Sequence, residues 1–193
     1  MELKTKRLIL REWRAGDESD LVEGLNNIKV AKWLAMAPYP YTRRDARYWI
    51  DHCTGIAKAG RRKGRDEYNF AICTKSDGKA IGGMSLDKIN ATNKTCNLGY
   101  WLNERYHRMG YGTEAMDAVL GFAFRKLKFR RIESAFFKGN PSSFKLQEKF
   151  GFRIEGIKVK GMKCNADGKI KDEHITALLR NNWKRVGYQT RNN

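Results

Sequence analysis

Along the chain, short apolar runs alternate with stretches in which apolar positions recur every three to four residues. Arg7-Leu-Ile-Leu-Arg11 opens as a strand. Asp17 then stands as an N-cap, with Asp20 three residues on and Leu21, Val22 and Leu25 at helical spacing. A second cap, Thr42 with Asp45, starts a helix through Trp49, Ile50 and Ile56 that should fail near Gly60. Residues 69–74, 80–88 and 95–102 read as three strands of a meander, separated by the Ser76-Asp77-Gly78 turn and the polar loop 90–94.

The pattern then changes period. Ala115, Met116, Val119, Leu120, Ala123, Phe124 and Leu127 lie at spacings of three and four, which predicts a long amphipathic helix. A strand follows over 131–137. Asn140 caps a short helix with Pro141 at its first position and Gly151 at its end. Two last strands, 152–160 and 171–179, flank the Ala166-Asp167-Gly168 turn. Strand, helix and strand from Thr95 to Phe137 make a βαβ unit, whose strands must be parallel and joined by a right-handed crossover. With meanders on both sides, the expected fold is α/β with a mixed sheet. Its ligand should lie beyond the carboxyl ends of the parallel pair, near Leu102 and Phe137.

Composition narrows this picture. The chain has 193 residues, 41% of them hydrophobic and only 3 prolines, with no linker-like stretch. One domain over residues 1–183 with a polar basic tail over 184–193 is expected. No apolar run reaches membrane-span length and the first residues carry no signal-peptide pattern, so a cytoplasmic chain is expected. Cys53, Cys73, Cys96 and Cys164 lack C-x-x-C spacing, which argues against zinc and for reduced thiols. The net charge of +18 concentrates in Lys58–Arg65 and Arg125–Arg131, and suits a polyanionic partner, such as an acidic protein or a ribosomal surface, as much as a solvated surface.

Candidate chemistry gathers before the long helix, in Trp101-Leu-Asn-Glu-Arg-Tyr-His-Arg-Met-Gly-Tyr-Gly-Thr-Glu-Ala115. Gly110 and Gly112 precede a helix start, where backbone N–H groups lack intrahelical partners and the dipole favours an anion. Gly110–Ala115 also fits the dinucleotide fingerprint G-x-G-x-x-G/A. That fingerprint should follow its strand directly, whereas residues 103–109 intervene here, and no acidic residue ends the next strand.

His107-Arg-Met-Gly-Tyr-Gly112 resembles the acetyl-CoA loop Q/R-x-x-G-x-G/A of the GNAT N-acetyltransferases. Leu98-Gly-Tyr-Trp-Leu102, Thr113-Glu-Ala115, Asn140-Pro-Ser-Ser143 and Glu148-Lys-Phe-Gly-Phe152 resemble segments of the RimJ/RimL branch, which acetylates ribosomal-protein N-termini. So do Thr5–Arg11 and Pro38-Tyr-Pro-Tyr-Thr42 near the start. The likeness covers the whole domain in order. His107 stands where Gln or Arg is usual, and Arg108 where glycine is common.

The resemblance implies a GNAT acyl-CoA N-acyltransferase fold with a splayed parallel strand pair, and acetyl-CoA as cosubstrate without a metal. His107, Arg108, Met109, Gly110, Tyr111, Gly112 and Thr113 would hold the phosphates. Backbone groups of Trp101 and Leu102 would bind the pantetheine arm, with Leu102 polarising the thioester. Asn140 would hold the arm from the other side, and Ser143 would protonate the leaving thiolate. Both are also plain helix-capping residues. The general base is open. Met162 and Asn97 occupy positions where relatives carry acids, and Asp87 and Glu155 remain as carboxylates. An α-amine, with a pKa of about 7.7–8.0, needs less help than a lysine at about 10.4. A protein N-terminus is therefore the expected acceptor. A small-molecule amine, or a non-catalytic ribosome- or nucleic-acid-binding module on the same fold, are the alternatives.

Overall fold

The computed structural model describes residues 1–63 and 65–186, without the side chains of residues 60–63. The continuous apolar run Leu8-Ile-Leu forms β2 (Leu8–Glu12), with Leu8 and Leu10 fully buried. A short β1 (Glu2–Lys4) pairs with its outer edge. The meander follows as β3 (Tyr68–Thr74), β4 (Ala80–Asn90) and β5 (Thr95–Leu102). After the crossover come β6 (Arg131–Phe137), β7 (Arg153–Lys163) and β8 (Ile170–Leu179). They form one eight-stranded sheet in the order β1-β2-β3-β4-β5-β6-β8-β7. Among the described residues only β5 and β6 pair in parallel; β8 inserts beside β6 and leaves β7 at the edge.

The helices are α1 (Glu18–Leu25), α2 (Ile28–Ala31), α3 (Arg43–Lys63), α4 (Tyr111–Gly121) and α5 (Pro141–Phe150). Alternation along the strands makes two cores. Phe70, Ile72, Leu86, Leu98 and Ile132 pack with Met116, Leu120, Phe124 and Phe150. Ala71 and Cys73, on the opposite face, pack with Leu21, Leu25 and Ile50 of α1 and α3. Trp183 and Val186 close on the first core. The amphipathic stretch after Gly121 continues as a π-helical turn, Phe122–Lys126, and ends by donating Leu127 N–H to Phe122 O.

The caps divide. Thr42 and Asp45 exchange the expected bonds, the Thr42 N–H donating to Asp45 Oδ2 at 2.8 Å. The α3 helix nonetheless runs past Gly60 to Lys63. Asp17 precedes α1 but makes no side-chain cap. Arg11, only 8% exposed, donates to both its carboxylate oxygens at 2.7 Å, because a buried guanidinium needs its counter-charge. Asp20 accepts from Ala80 N–H at 2.8 Å and so ties α1 to β4. The cap expected at Asp17 is therefore replaced by an ion pair.

Candidate functional site

The parallel register of β5 and β6 stops at Asn97↔Glu133. Beyond it, residues 98–102 of β5 and 134–137 of β6 run without pairing to each other. At the vertex the Ser134 hydroxyl donates to Leu98 O at 2.8 Å, a side chain standing where a backbone bond would continue the ladder. Asn103 N–H donates to Ile81 O, so Asn103 and Trp101 face β4 with their backbone groups. By alternation the N–H groups of Tyr100 and Leu102 face the gap. The Trp101 indole lies instead against Gly24 and Gly83.

The loop after β5 closes on itself. His107 Nε2–H donates to Leu102 O at 2.8 Å, which turns the imidazole back to the strand end. Arg108 and Gly110 take left-handed conformations, with φ of 61° and 81°, and bring the chain into α4. The Gly110 carbonyl accepts from Glu114 N–H. The N–H groups of Tyr111, Gly112 and Thr113 then head the first turn, where an α-helix offers them no acceptor. Gly112 has no internal reason to be glycine: its φ is not positive, and an added Cβ would meet only Leu146 Cδ2 at an ordinary 3.5 Å. The open flank at Gly112 leaves room for a ligand to approach the bare N–H groups of this helix start.

A clamp that the sequence did not reveal sets this turn. The buried Glu114 accepts from the Thr5 hydroxyl at 2.6 Å, from Arg7 N–H at 2.7 Å and from Arg7 Nε–H at 2.7 Å. Arg7 also donates to Met109 O at 2.9 Å and stacks 4.3 Å over the Tyr111 ring, drawing the loop carbonyl inward. Burial by itself pushes the Glu114 carboxyl up, but the Thr5 and Arg7 bonds outweigh it and hold it below the ordinary range. Its stabilisation is thus fully present above the unfolded carboxyl pKa of about 4.3 and is lost as pH falls through the lower folded value. Glu114→Gln should cost about 1–3 kcal/mol at pH 7. The gap from wild type in urea unfolding should narrow below about pH 4. A gap independent of pH would show that the charge does not matter.

Across the gap, Asn140 Oδ1 accepts from Ser143 N–H at 3.3 Å and caps α5. Ser143 Oγ lies 2.7 Å from the Tyr100 hydroxyl. These two bring the head of α5 against the free flank of β5.

The opposite face of the vertex carries the carboxylate candidates. Asp87 lies opposite Asn97, which in turn lies opposite Glu133. Its carboxylate accepts from the Ser85 hydroxyl at 3.2 Å and leans over Gly99, 3.9 Å from where a Cβ would stand. Burial raises the Asp87 pKa, and the neighbouring Glu67 adds to this. Asp87 makes no ion pair among the described residues. Glu155 is different: Arg131 grips both its oxygens at 2.9 and 2.5 Å and holds its pKa low. Met162 pairs with Lys171 far along the β7–β8 hairpin.

All four cysteines are free and buried. Burial pushes the Cys53 and Cys96 thiols up to about 12 and Cys73 to about 11, so these three are poor nucleophiles. Among the described residues, no group of three His, Cys, Asp or Glu is arranged to hold a metal ion, and no helix is long and apolar enough to cross a membrane. Much of the second basic cluster serves the fold. Arg125 lies 5.2 Å over the Trp183 ring, Arg130 donates to Asn93 O, and Arg131 pairs with Glu133 and Glu155. The Arg61, Arg62 and Lys63 side chains of the first cluster, and the tail from 187, lie outside the described residues.

A mixed sheet with one parallel pair that splays beside a glycine-bearing helix start is the fold that the resemblance implied. Residues 7–153 match the family model described as an acetyltransferase (GNAT) domain, and the chain belongs to that family as an N-acetyltransferase. It is 38% identical over 115 residues to a Bacillus subtilis protein named "Probable N-acetyltransferase YjcK", a match that spans 59% of this chain and 62% of that one. It is 32% identical over 76 residues to the ribosomal-protein-serine acetyltransferase of Escherichia coli, covering 39% of this chain and 42% of that protein. The solved structure of RimL, titled a ribosomal L7/L12 alpha-N-protein acetyltransferase in complex with coenzyme A, superposes with a TM-score of 0.78 at 19% identity, covering 93% and 98% of the two chains.

Proposed function

We propose that the gap between β5 and β6 receives acetyl-CoA and that the acceptor is the α-amine of a polypeptide N-terminus. In this reading the first turn of α4 binds the pyrophosphate. The Tyr100 and Leu102 N–H groups meet the pantetheine arm, and Leu102 N–H polarises the thioester carbonyl. Asn140 supports the arm from α5. The amine nitrogen bonds to the carbonyl carbon, the C–S bond breaks, and the Ser143 hydroxyl donates its proton to the departing sulfur. Asp87, reaching over Gly99, takes the proton that the amine gives up.

One observation carries the acceptor class: the sole unpaired carboxylate described beside the vertex, Asp87, is a modest base. It suits an amine already about a tenth to a fifth neutral at pH 7, and not a lysine neutral about once in 2,500 molecules. The relative named a ribosomal-protein-serine acetyltransferase supports the same class. Four buried free thiols fit a cytoplasmic setting.

Asp87→Asn tests the base. It should lower kcat/KM by about a hundredfold or more while acetyl-CoA binding stays intact. In the wild type, kcat/KM should fall below the amine's own pKa of about 7.7–8.0 and fall more steeply once the raised Asp87 carboxyl protonates; the variant should keep the first limb and lose the steepening. A steepening unchanged by the substitution would remove Asp87 from the mechanism.

A further inference from the structure

The polar side chains behind the gap share hydrogen bonds whose directions follow from counting donors as far as Tyr100. A carbonyl only accepts, so the Ser134 hydroxyl hydrogen is committed to Leu98 O. Gln147 is fully buried, and its side-chain amide lies 3.2 Å from Ser134 Oγ and 3.1 Å from the Tyr100 hydroxyl. Since the Ser134 hydrogen is already used, Gln147 must donate there, which turns its NH2 group toward both Ser134 and Tyr100. Its carbonyl end then accepts from the Thr176 hydroxyl at 2.6 Å, a closer approach than the 3.0 Å between that hydroxyl and Ser134 O. The reversed amide would set an oxygen against Ser134 Oγ with no hydrogen between them.

Tyr100 thus receives from Gln147 and keeps one hydrogen to give. Its neighbours are Ser143 Oγ at 2.7 Å and Ser143 O at 3.2 Å. A phenol is a much stronger acid than an aliphatic alcohol, so on the shorter contact the phenol donates. No other partner of Ser143 Oγ occurs among the described residues. Its own hydrogen is the one left over, on an oxygen at the rim of the gap.

We propose that Tyr100 and Gln147 are positioning residues that fix the direction of this chain, so that the Ser143 hydroxyl presents its hydrogen to the departing sulfur. The inference rests on the role of Ser143 given above. Each bond donated along Gln147, Tyr100 and Ser143 polarises the next, and the Tyr100 donor steadies the charge that Ser143 gains as its proton leaves. Burial raises the Tyr100 pKa, outweighing the opposing bonds from Ser143 and Gln147, so its hydroxyl remains a donor across the working pH range. The device draws on β5, α5 and β8, which explains why residues 43 and 47 positions apart meet here.

The test is a double-mutant cycle with acetyl-CoA and peptide acceptor saturating and with chemistry shown to limit turnover. Ser143→Ala should lower kcat by about tenfold to a hundredfold. Tyr100→Phe should lose most of that factor, with KM for acetyl-CoA and the thermal midpoint near wild type. Gln147→Glu, which accepts where the amide donated, should reverse the chain and cost a similar factor. Added to Ser143→Ala, neither change should lower kcat further, because the interaction they serve is already gone. A side chain that only packs would slow the Ser143→Ala enzyme as much as the wild type, and that additive result would overturn the inference. If Ser143→Ala slows turnover and Tyr100→Phe, still folded, does not, the inference alone fails. No loss from Ser143→Ala would overturn the Ser143 role itself.

Discussion

Gly112→Glu should abolish CoA binding and leave the folded chain intact. The two halves of this result have separate causes. An added Cβ meets only Leu146 Cδ2 at 3.5 Å, and a carboxylate in the first turn of α4 suits the helix dipole. The thermal midpoint without ligand should therefore stay put or rise slightly. The same carboxylate would stand where two phosphate groups need bare N–H donors, adding bulk and like charge together. At a concentration one hundred times its dissociation constant, CoA should stabilise the wild type by about 2.7 kcal/mol, and the variant hardly at all. An undiminished shift in the variant would mean that the pyrophosphate binds elsewhere.

Asp17→Ala should produce the largest loss of stability. Arg11 and Asp17 are 8% and 5% exposed and meet through two 2.7 Å bonds, so removing the carboxylate leaves a largely buried guanidinium with only the Glu12 carbonyl as a hydrogen-bond partner among the described residues. Breaking such a buried pair costs about 3–5 kcal/mol. For a chain of this size that lowers the melting temperature by about 6–20 °C. Chemical unfolding followed by two probes gives the number directly. A loss below about 1 kcal/mol would mean that water or another anion takes the place of Asp17.

How much of this was legible in the chain depended on how local the cause was. Thr95–Leu102 and Arg131–Phe137 carry the same bounds in the structure as in the sequence reading, and α5 begins and ends on its own cap residues. Their signals lie within the segments themselves. Three-residue β1 offers a single apolar residue, Leu3, and pairs along the edge of β2, too short a run for periodicity to find. Asp17 carried the signature of a cap, and a buried arginine six residues earlier claimed it. The site divides in the same way. The glycine loop stood out through its spacing, and the βαβ argument put the ligand near Leu102 and Phe137, whereas the splay that begins after Asn97 was implied only by the resemblance. The Glu114 clamp joins residues 107 apart, and the chain from Thr176 through Gln147 and Tyr100 to Ser143 crosses three elements. One signal for the clamp was present: Glu114 is a charge beside Ala115 and Met116 on the buried side of a helix.

The most direct measurement is of acetyl transfer itself. The chain would be mixed with acetyl-CoA and a set of short peptides, each with a free or blocked α-amine and with or without lysine. Thiol release would be followed in time, and the acetyl group located by fragment masses. Acceptor-dependent release is expected, one thiol per acetyl group, with the label on free α-amines and the blocked peptides inert. Release no faster than the uncatalysed rate for every amine, or acetyl groups found only on lysine side chains, would contradict the proposed function.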